Sequence, residues 1–324
     1  AELSGNHNGD IQRAKALILI AKQAGADAVK LQTYTADTIT IKSDRPEFLL
    51  QGGLWDGRNL YDLYDWAHTP WEWHSELFEY AKEIGITIFS SPFDASAIDF
   101  LETLNCPIYK IASFEAMDLP LIKKAAETGK PIIISTGVIN EIQIQEALET
   151  VYETGNRAVT LLHCISQYPA QPEAFNLKTI TDMQQRFSVP VGLSDHTLGN
   201  TIAIASTALG AVMVEKHFTV KRSDGGPDAE FSLEPEELAS LVQVVKTTRH
   251  ALGQASYQNS DKSQCHRSLY VVKPMKKGEH FSPQNVRSIR PGLGMEPKYI
   301  DEIMGKQCAN NIAFATPMKK EYID

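Results

Sequence analysis

Eight times along this chain a short apolar run ends abruptly in polar or ionisable residues. The runs are 1–3, 28–32, 86–92, 107–113, 131–137, 159–166, 191–195 and 214–219. Helix-periodic stretches lie between them, at 11–24 with a Gly25 stop, 70–85, a segment closing at Thr128, 139–154, 177–187, 201–209 and 234–252. The runs do not alternate apolar with polar, so they read as strands buried on both faces, which is the signature of a parallel sheet covered by helices. Eight strand–helix units in about 250 residues are the size of a closed (β/α)8 barrel. A doubly wound open sheet is the structural alternative, but no Gly-rich dinucleotide fingerprint follows any of the runs.

A barrel places its chemistry at the C-terminal ends of its strands. The polar residues fall there: Glu2, Lys30, Gln32, Ser91, Lys110, Ser113, Ser135, Thr136, Ser166, Tyr168, Ser194, Asp195, His196 and His217. His196 and His217 end consecutive strands, and by spacing alone they fit either two corners of a divalent-metal site or ordinary capping and core histidines. Lys30 and Lys110 with Ser91, Ser113, Ser135 and Ser194 offer cations and hydroxyls that suit a phosphate and a carboxylate on one small ligand. Glu2, Asp195 and Asp228 are candidates for proton transfer. These residues alone lead to a metal-dependent lyase or transferase.

Composition narrows the partners. A formal charge of -9 argues against a general nucleic-acid or anionic-membrane binder. Local lysines still allow an anionic substrate. The four cysteines form no CxxC pair, which fits reduced thiols in the cytoplasm. No apolar run approaches the ~20 residues needed to span a bilayer, and no signal peptide is evident. The opening Ala1-Glu2-Leu3 reads as the end of a strand with residues expected upstream.

Residues 35–69 show no regular core element, and so long a connection is usually functional or disordered. All four tryptophans, Trp55, Trp66, Trp71 and Trp73, lie in or just after it. Singly each Trp serves equally well as packing for a lid. Together with Arg58 and His68, they suit an amphipathic ligand such as a modified sugar. The organisation expected is a catalytic domain at 1–253, a linker at 254–266 and a small unit of short strands at 267–324. That last unit holds ten Lys and Arg against six Asp and Glu, and at about 60 residues it is marginal on its own.

Several of these stretches carry a resemblance. Ala1-Glu2-Leu-Ser-Gly-Asn6-His7-Asn8-Gly9, Val29-Lys30-Leu-Gln32-Thr, Phe89-Ser-Ser91-Pro92-Phe93, Tyr109-Lys110-Ile-Ala-Ser113, Ser135-Thr136-Gly137, Gly192-Leu-Ser194-Asp195-His196-Thr and Glu215-Lys-His217-Phe-Thr resemble the sialic acid synthase family. The likeness runs through Gly226-Pro227-Asp228. It continues into Lys277-Gly278-Glu and Arg290-Pro-Gly-Leu-Gly294, which resemble the antifreeze-like SAF domain. Leu54-Trp55-Asp-Gly-Arg58 and Ala67-His68-Thr-Pro-Trp-Glu-Trp73 are similar to the pseudaminic acid synthase branch.

The resemblance implies a TIM barrel followed by a mostly β SAF domain. It also implies condensation of phosphoenolpyruvate with open-chain 2,4-diacetamido-2,4,6-trideoxy-L-altrose. Position by position, it assigns Mn2+ or Mg2+ to His196 and His217, and phosphoenolpyruvate to Lys30, Ser91, Lys110, Ser113, Ser135 and Ser194. Glu2 would handle the proton near the attacking water. Gln32 joins the substrate-binding set, and Tyr168 and Asp228 would contact the sugar. Arg290 would reach over from a second subunit of a domain-swapped homodimer. Ser166 joins the substrate-binding set but departs from the pattern, since neuraminate-making members carry Asn there and a shorter hydroxyl changes the hydrogen bonds on offer. Rival readings are an N-acetylneuraminate or legionaminate synthase and, in another class, a non-catalytic carbohydrate- or ice-binding protein. The latter would not need ionisable groups on eight strand ends.

Overall fold

The computed structural model describes residues 1–257 and 265–324, and divides the chain into two compact units, Ala1–Gly253 and Gln254–Asp324. The expected linker at 254–266 lies in large part outside the described residues.

In the first unit seven parallel strands pair in chain order: β1 (Ala28–Thr33), β2 (Thr87–Pro92), β3 (Tyr109–Ile111), β4 (Ile132–Ser135), β5 (Val159–Cys164), β6 (Val191–Asp195) and β7 (Val214–Lys216). The curled sheet is closed by the first residues of the chain. Glu2 bridges in parallel to Lys30 on one side and His217 on the other. Its N–H donates to Lys216 O at 2.9 Å, its carbonyl accepts from Phe218 N at 2.9 Å, and Leu3 N donates to Lys30 O at 3.0 Å. The eighth strand is therefore the stretch at 1–3, and the architecture is the (β/α)8 barrel that the apolar runs predict.

Local rules explain the helices around it. In α1 (Ile11–Gln23), Asp10 caps the N-terminus by accepting from Gln12 N. The buried residues Ala14, Leu17, Ile18 and Ala21 follow the i, i+3, i+4, i+7 spacing of one helical face. Burying a side chain such as Leu17 or Ile18 contributes about 1.5–3 kcal/mol. Two helices of eight residues or more escape the sequence pattern: α2 (Leu60–Ala67), inside the stretch read as irregular, and α3 (Ala95–Thr103), between β2 and β3. The first buries only Leu63 and Ala67, too few to show a period, and is started by the Asn59 side chain accepting from Tyr61 N. The second is only nine residues long and is set by the Asp94 cap.

The second unit pairs β8 (Ser268–Val271) antiparallel with β9 (Val286–Ile289). Its own small core contains Leu269, Val271, Met275, Phe281, Val286, Ile303, Ile312 and Met318. Among the described residues, no helix is long and apolar enough to cross a membrane.

Candidate active site

Strand alternation sorts the polar strand ends into two layers. Ser194 pairs in register with Glu215, and Asp195 with Lys216. Successive side chains on a strand point to opposite faces, so 194 and 215 share one layer while 195 and 216 share the other. The second layer is a lock. Lys216 Nζ donates to Asp195 Oδ2 at 2.7 Å and to Thr197 O at 2.6 Å, and Asp195 Oδ1 accepts from Thr197 N at 2.8 Å and Thr197 Oγ1 at 2.7 Å. Asp195 is thus committed to holding the loop after β6, and its candidacy as an acid or base is withdrawn.

The first layer gathers a charged network from six strands, the closing stretch at 1–3 included. Lys110 Nζ donates to Glu215 Oε1 at 2.8 Å, and Ser194 Oγ reaches the same oxygen at 3.2 Å. Lys30 pairs with Glu2, lies 3.9 Å from Glu215 Oε2, and donates to Ser91 Oγ at 3.3 Å. Gln32 Nε2 and Ser4 N both donate to Glu2 Oε1, at 3.0 and 3.1 Å. Both lysines are buried, at 5% and 2% exposure. Burial pushes the Glu215 carboxyl up, but Lys110 and then Lys30 outweigh it and hold the group below the usual carboxylate range. For Lys30, burial is likewise outweighed, here by Glu2 and Glu215, and the ammonium is held charged. Ser135 Oγ is buried beside this network with no hydrogen-bond partner.

Strands β4 and β5 add a tight hydroxyl and thiol corner. Gly137 N donates to Ser113 Oγ at 2.7 Å. A Cβ on Gly137 would come within 2.4 Å of Ser166 Oγ, 2.6 Å of Ser113 Oγ and 3.1 Å of Cys164 Sγ, so only glycine lets the three side chains converge. Ser113 and Ser166 therefore sit together, with the Cys164 thiol pushed up by burial.

The histidines form the other half. The His196 and His217 rings lie 5.3 Å apart, centroid to centroid. Burial lowers His196 to about 4 and His217 well below its ordinary value, so both imidazoles are neutral. His196 Nδ1 faces Ile165 O at 3.1 Å. His217 Nδ1 is buried without a hydrogen-bond partner, 3.5 Å from Asp228 Oδ2. Asp228 accepts from the Ser4 hydroxyl, and burial pushes its carboxyl up to about 6. The Tyr168 ring lies 4.5 Å from that of His196, tilted by 52°, and the Phe231 ring 4.9 Å from that of His217. Among the described residues no cluster of three or more His, Cys, Asp or Glu is arranged to hold a metal ion. What the site offers is two neutral imidazoles, a donor set that fits a divalent cation whose remaining positions are filled by oxygen ligands.

The expected aromatic lid resolves into one relevant ring. Trp55 lies 5.6 Å from Tyr168 and its Nε1 donates to Pro227 O at 2.8 Å. The others pack elsewhere: Trp71 stacks on Phe100, Trp73 meets His7, and Trp66 takes the Arg58 guanidinium on its face. His68 caps the C-terminus of α2, its Nδ1 2.7 Å from Asp65 O. Four residues at the site had no role assigned from sequence: Ser4, Glu115, Cys164 and Glu215. Period-2 spacing from His217 would have found Glu215. Glu115, beyond β3, is pushed up to about 7 by burial, and its Oε2 has no hydrogen-bond partner. Arg290 belongs to the second unit, where it is exposed.

Comparison with known proteins gives this geometry its context. The model of the NeuB family matches residues 17–257, and that of the SAF domain matches residues 266–321. The pseudaminic acid synthase of Helicobacter pylori is 44% identical over 329 residues, covering 100% of this chain and 97% of the relative. That of Campylobacter jejuni (strain 81-176) is 43% identical over 324 residues, covering 99% and 94%. Among solved structures, the N-acetylneuraminic acid synthetase of Leptospira borgpetersenii superposes with a TM-score of 0.73 at 31% identity, covering 82% of this chain and 87% of that one.

Proposed function

The chain belongs to the NeuB family, and from that premise we propose that it is a pseudaminic acid synthase. The reaction joins phosphoenolpyruvate to open-chain 2,4-diacetamido-2,4,6-trideoxy-L-altrose, with water, to give pseudaminic acid and phosphate. The observation that carries this reading is the pair of buried lysines, Lys30 and Lys110, beside an unpartnered Ser135 hydroxyl and two neutral imidazoles. One half receives a small dianion, and the other suits a carbonyl-activating cation. The full-length likeness to two pseudaminic acid synthases supports the choice of sugar.

In this reading Lys30, Lys110, Ser91, Ser113, Ser135 and Ser194 bind the carboxylate and phosphate, and Gln32 orients Glu2 through its amide. Ser166, beside Ser113, adds a hydroxyl to the same pocket. His196 and His217 would hold Mn2+ or Mg2+, which when bound supplies Lewis-acid polarisation of the sugar aldehyde. The methylene carbon of phosphoenolpyruvate bonds to the aldehyde carbon as its C2–C3 double bond opens, and the aldehyde oxygen gains the proton that the incoming water releases through Glu2. Water adds at C2 and loses a proton to Glu2. The bond from C2 to the phosphate oxygen then breaks as the C2 hydroxyl becomes the ketone, its proton goes to the departing phosphate, and phosphate leaves into the lysine cradle. Tyr168 and Asp228 line the sugar end. Arg290 from the second unit of another copy completes the site in a homodimer, working in the cytoplasm.

Phosphate release from phosphoenolpyruvate tests the proposal, with Mn2+ and each of three sugars: the altrose derivative, the legionaminic precursor and N-acetylmannosamine. Release is expected with the first, and is expected to disappear on chelation and in His217→Ala. Release only with one of the other two would reassign the substrate, and no release with any would overturn the synthase reading.

A further inference from the structure

Ser4 has a left-handed backbone, φ 48°, that side-chain-bearing residues rarely adopt. It is buried, at 3% exposure, and stands in the loop just past the strand that closes the barrel. A glycine would adopt this conformation without strain, so the serine needs a reason. The reason on the page is its hydrogen bonds. Its N–H donates to Glu2 Oε1 at 3.1 Å, and its hydroxyl donates to Asp228 Oδ2. That same Oδ2 is the atom 3.5 Å from His217 Nδ1. Ser4 therefore bridges two carboxylates of the site, and any side chain there would keep the first bond while a hydroxyl makes the second.

We propose that Ser4 is a positioning residue whose hydroxyl holds the Asp228 carboxylate against the His217 ring and thereby sets how that imidazole presents itself to a divalent cation. A carboxylate beside Nδ1 favours the tautomer with its proton on Nδ1, which leaves the Nε2 lone pair for a cation. Without the hydroxyl, Asp228 keeps its place in the chain but loses the donor that orients Oδ2. No other side chain donates to that oxygen among the described residues. The surrounding loop stays anchored by separate bonds: Asn6 Nδ2 donates to Phe218 O and to Ser232 Oγ, both at 2.9 Å, and Ser232 Oγ donates to Asp228 O at 2.6 Å.

The proposal rests on the metal assignment made above, and two substitutions separate the hydroxyl from the backbone. Ser4→Gly removes the hydroxyl and relieves the left-handed strain. Ser4→Ala removes it and keeps the strain. Calorimetric titration of the metal-stripped full chain with Mn2+ should show both variants weakened about tenfold, the scale at which groups behind a metal ligand act. Their melting temperatures should diverge, with Ser4→Gly at or above wild type and Ser4→Ala below it. Turnover should fall in kcat, with the KM for phosphoenolpyruvate unchanged. Wild-type Mn2+ affinity in Ser4→Gly would overturn the proposal, as would a wild-type chain that binds no Mn2+. If wild type binds Mn2+ but condenses none of the three sugars, while Ser4→Gly binds it more weakly, the synthase reading falls and the role of Ser4 stands.

Discussion

At the scale of single residues, the site is a set of ionisable groups moved from their ordinary behaviour by burial, each in a direction set by its neighbours. Glu215 has two lysines and stays charged, whereas Glu115 has none close enough to offset its burial and rises to about 7. The fold therefore favours protonated Glu115. Its stabilising contribution is complete below the unfolded value of 4.5 and is lost as pH climbs through about 7. Glu115→Gln mimics the neutral form at every pH. Relative to wild type it should gain roughly 1–3 kcal/mol between pH 5 and pH 8, read from urea midpoints at the two values. Parallel pH profiles for the two proteins would refute this assignment. Sequence shows such a residue as one more glutamate, because desolvation depends on what three dimensions bring near it.

At the scale of elements, strand ends were the legible part. Lys30, Lys110, Ser135, Ser194 and His217 could be placed on one face because apolar runs stop where the sheet stops. The 35–69 stretch was not legible. Its α2 is stabilised by a cap and two buried residues, and its tryptophans differ in role according to contacts no periodicity encodes. Gly137 illustrates the same limit. In sequence it is a turn glycine after β4, yet in the fold it is the gap that lets Ser113, Ser166 and Cys164 meet. Gly137→Ala should cost about 1–3 kcal/mol from overpacking and should raise the KM for phosphoenolpyruvate by displacing Ser113. Urea unfolding and initial rates check the two effects, and a wild-type KM would show that Ser113 has room to yield.

At the scale of the whole molecule, two units of opposite character share one chain. Residues 267–324 of the second unit carry ten basic against six acidic residues, in a protein with an overall charge of -9. Its Arg290 is expected to act on the barrel of another copy. Mixing Arg290→Ala with Lys30→Ala chains under subunit exchange should then restore up to about a quarter of wild-type activity, the share of sites that pair an intact lysine with an intact arginine. No recovery after verified exchange would confine each site to its own chain. The seam of the barrel carries a further consequence. The backbone of Glu2 closes the ring of strands between Lys30 and His217, while its carboxylate pairs with Lys30. The Glu2–His217 bridge joins the two ends of the barrel sequence, and its loop-closure cost is larger than that of the Glu2–Lys30 bridge. Architecture and charge pairing are thus completed in one stroke. The residue whose backbone makes the last joint of the barrel also supplies a carboxylate to the lysine at its centre, so one position answers for the closure of the wall and for the charge balance inside it.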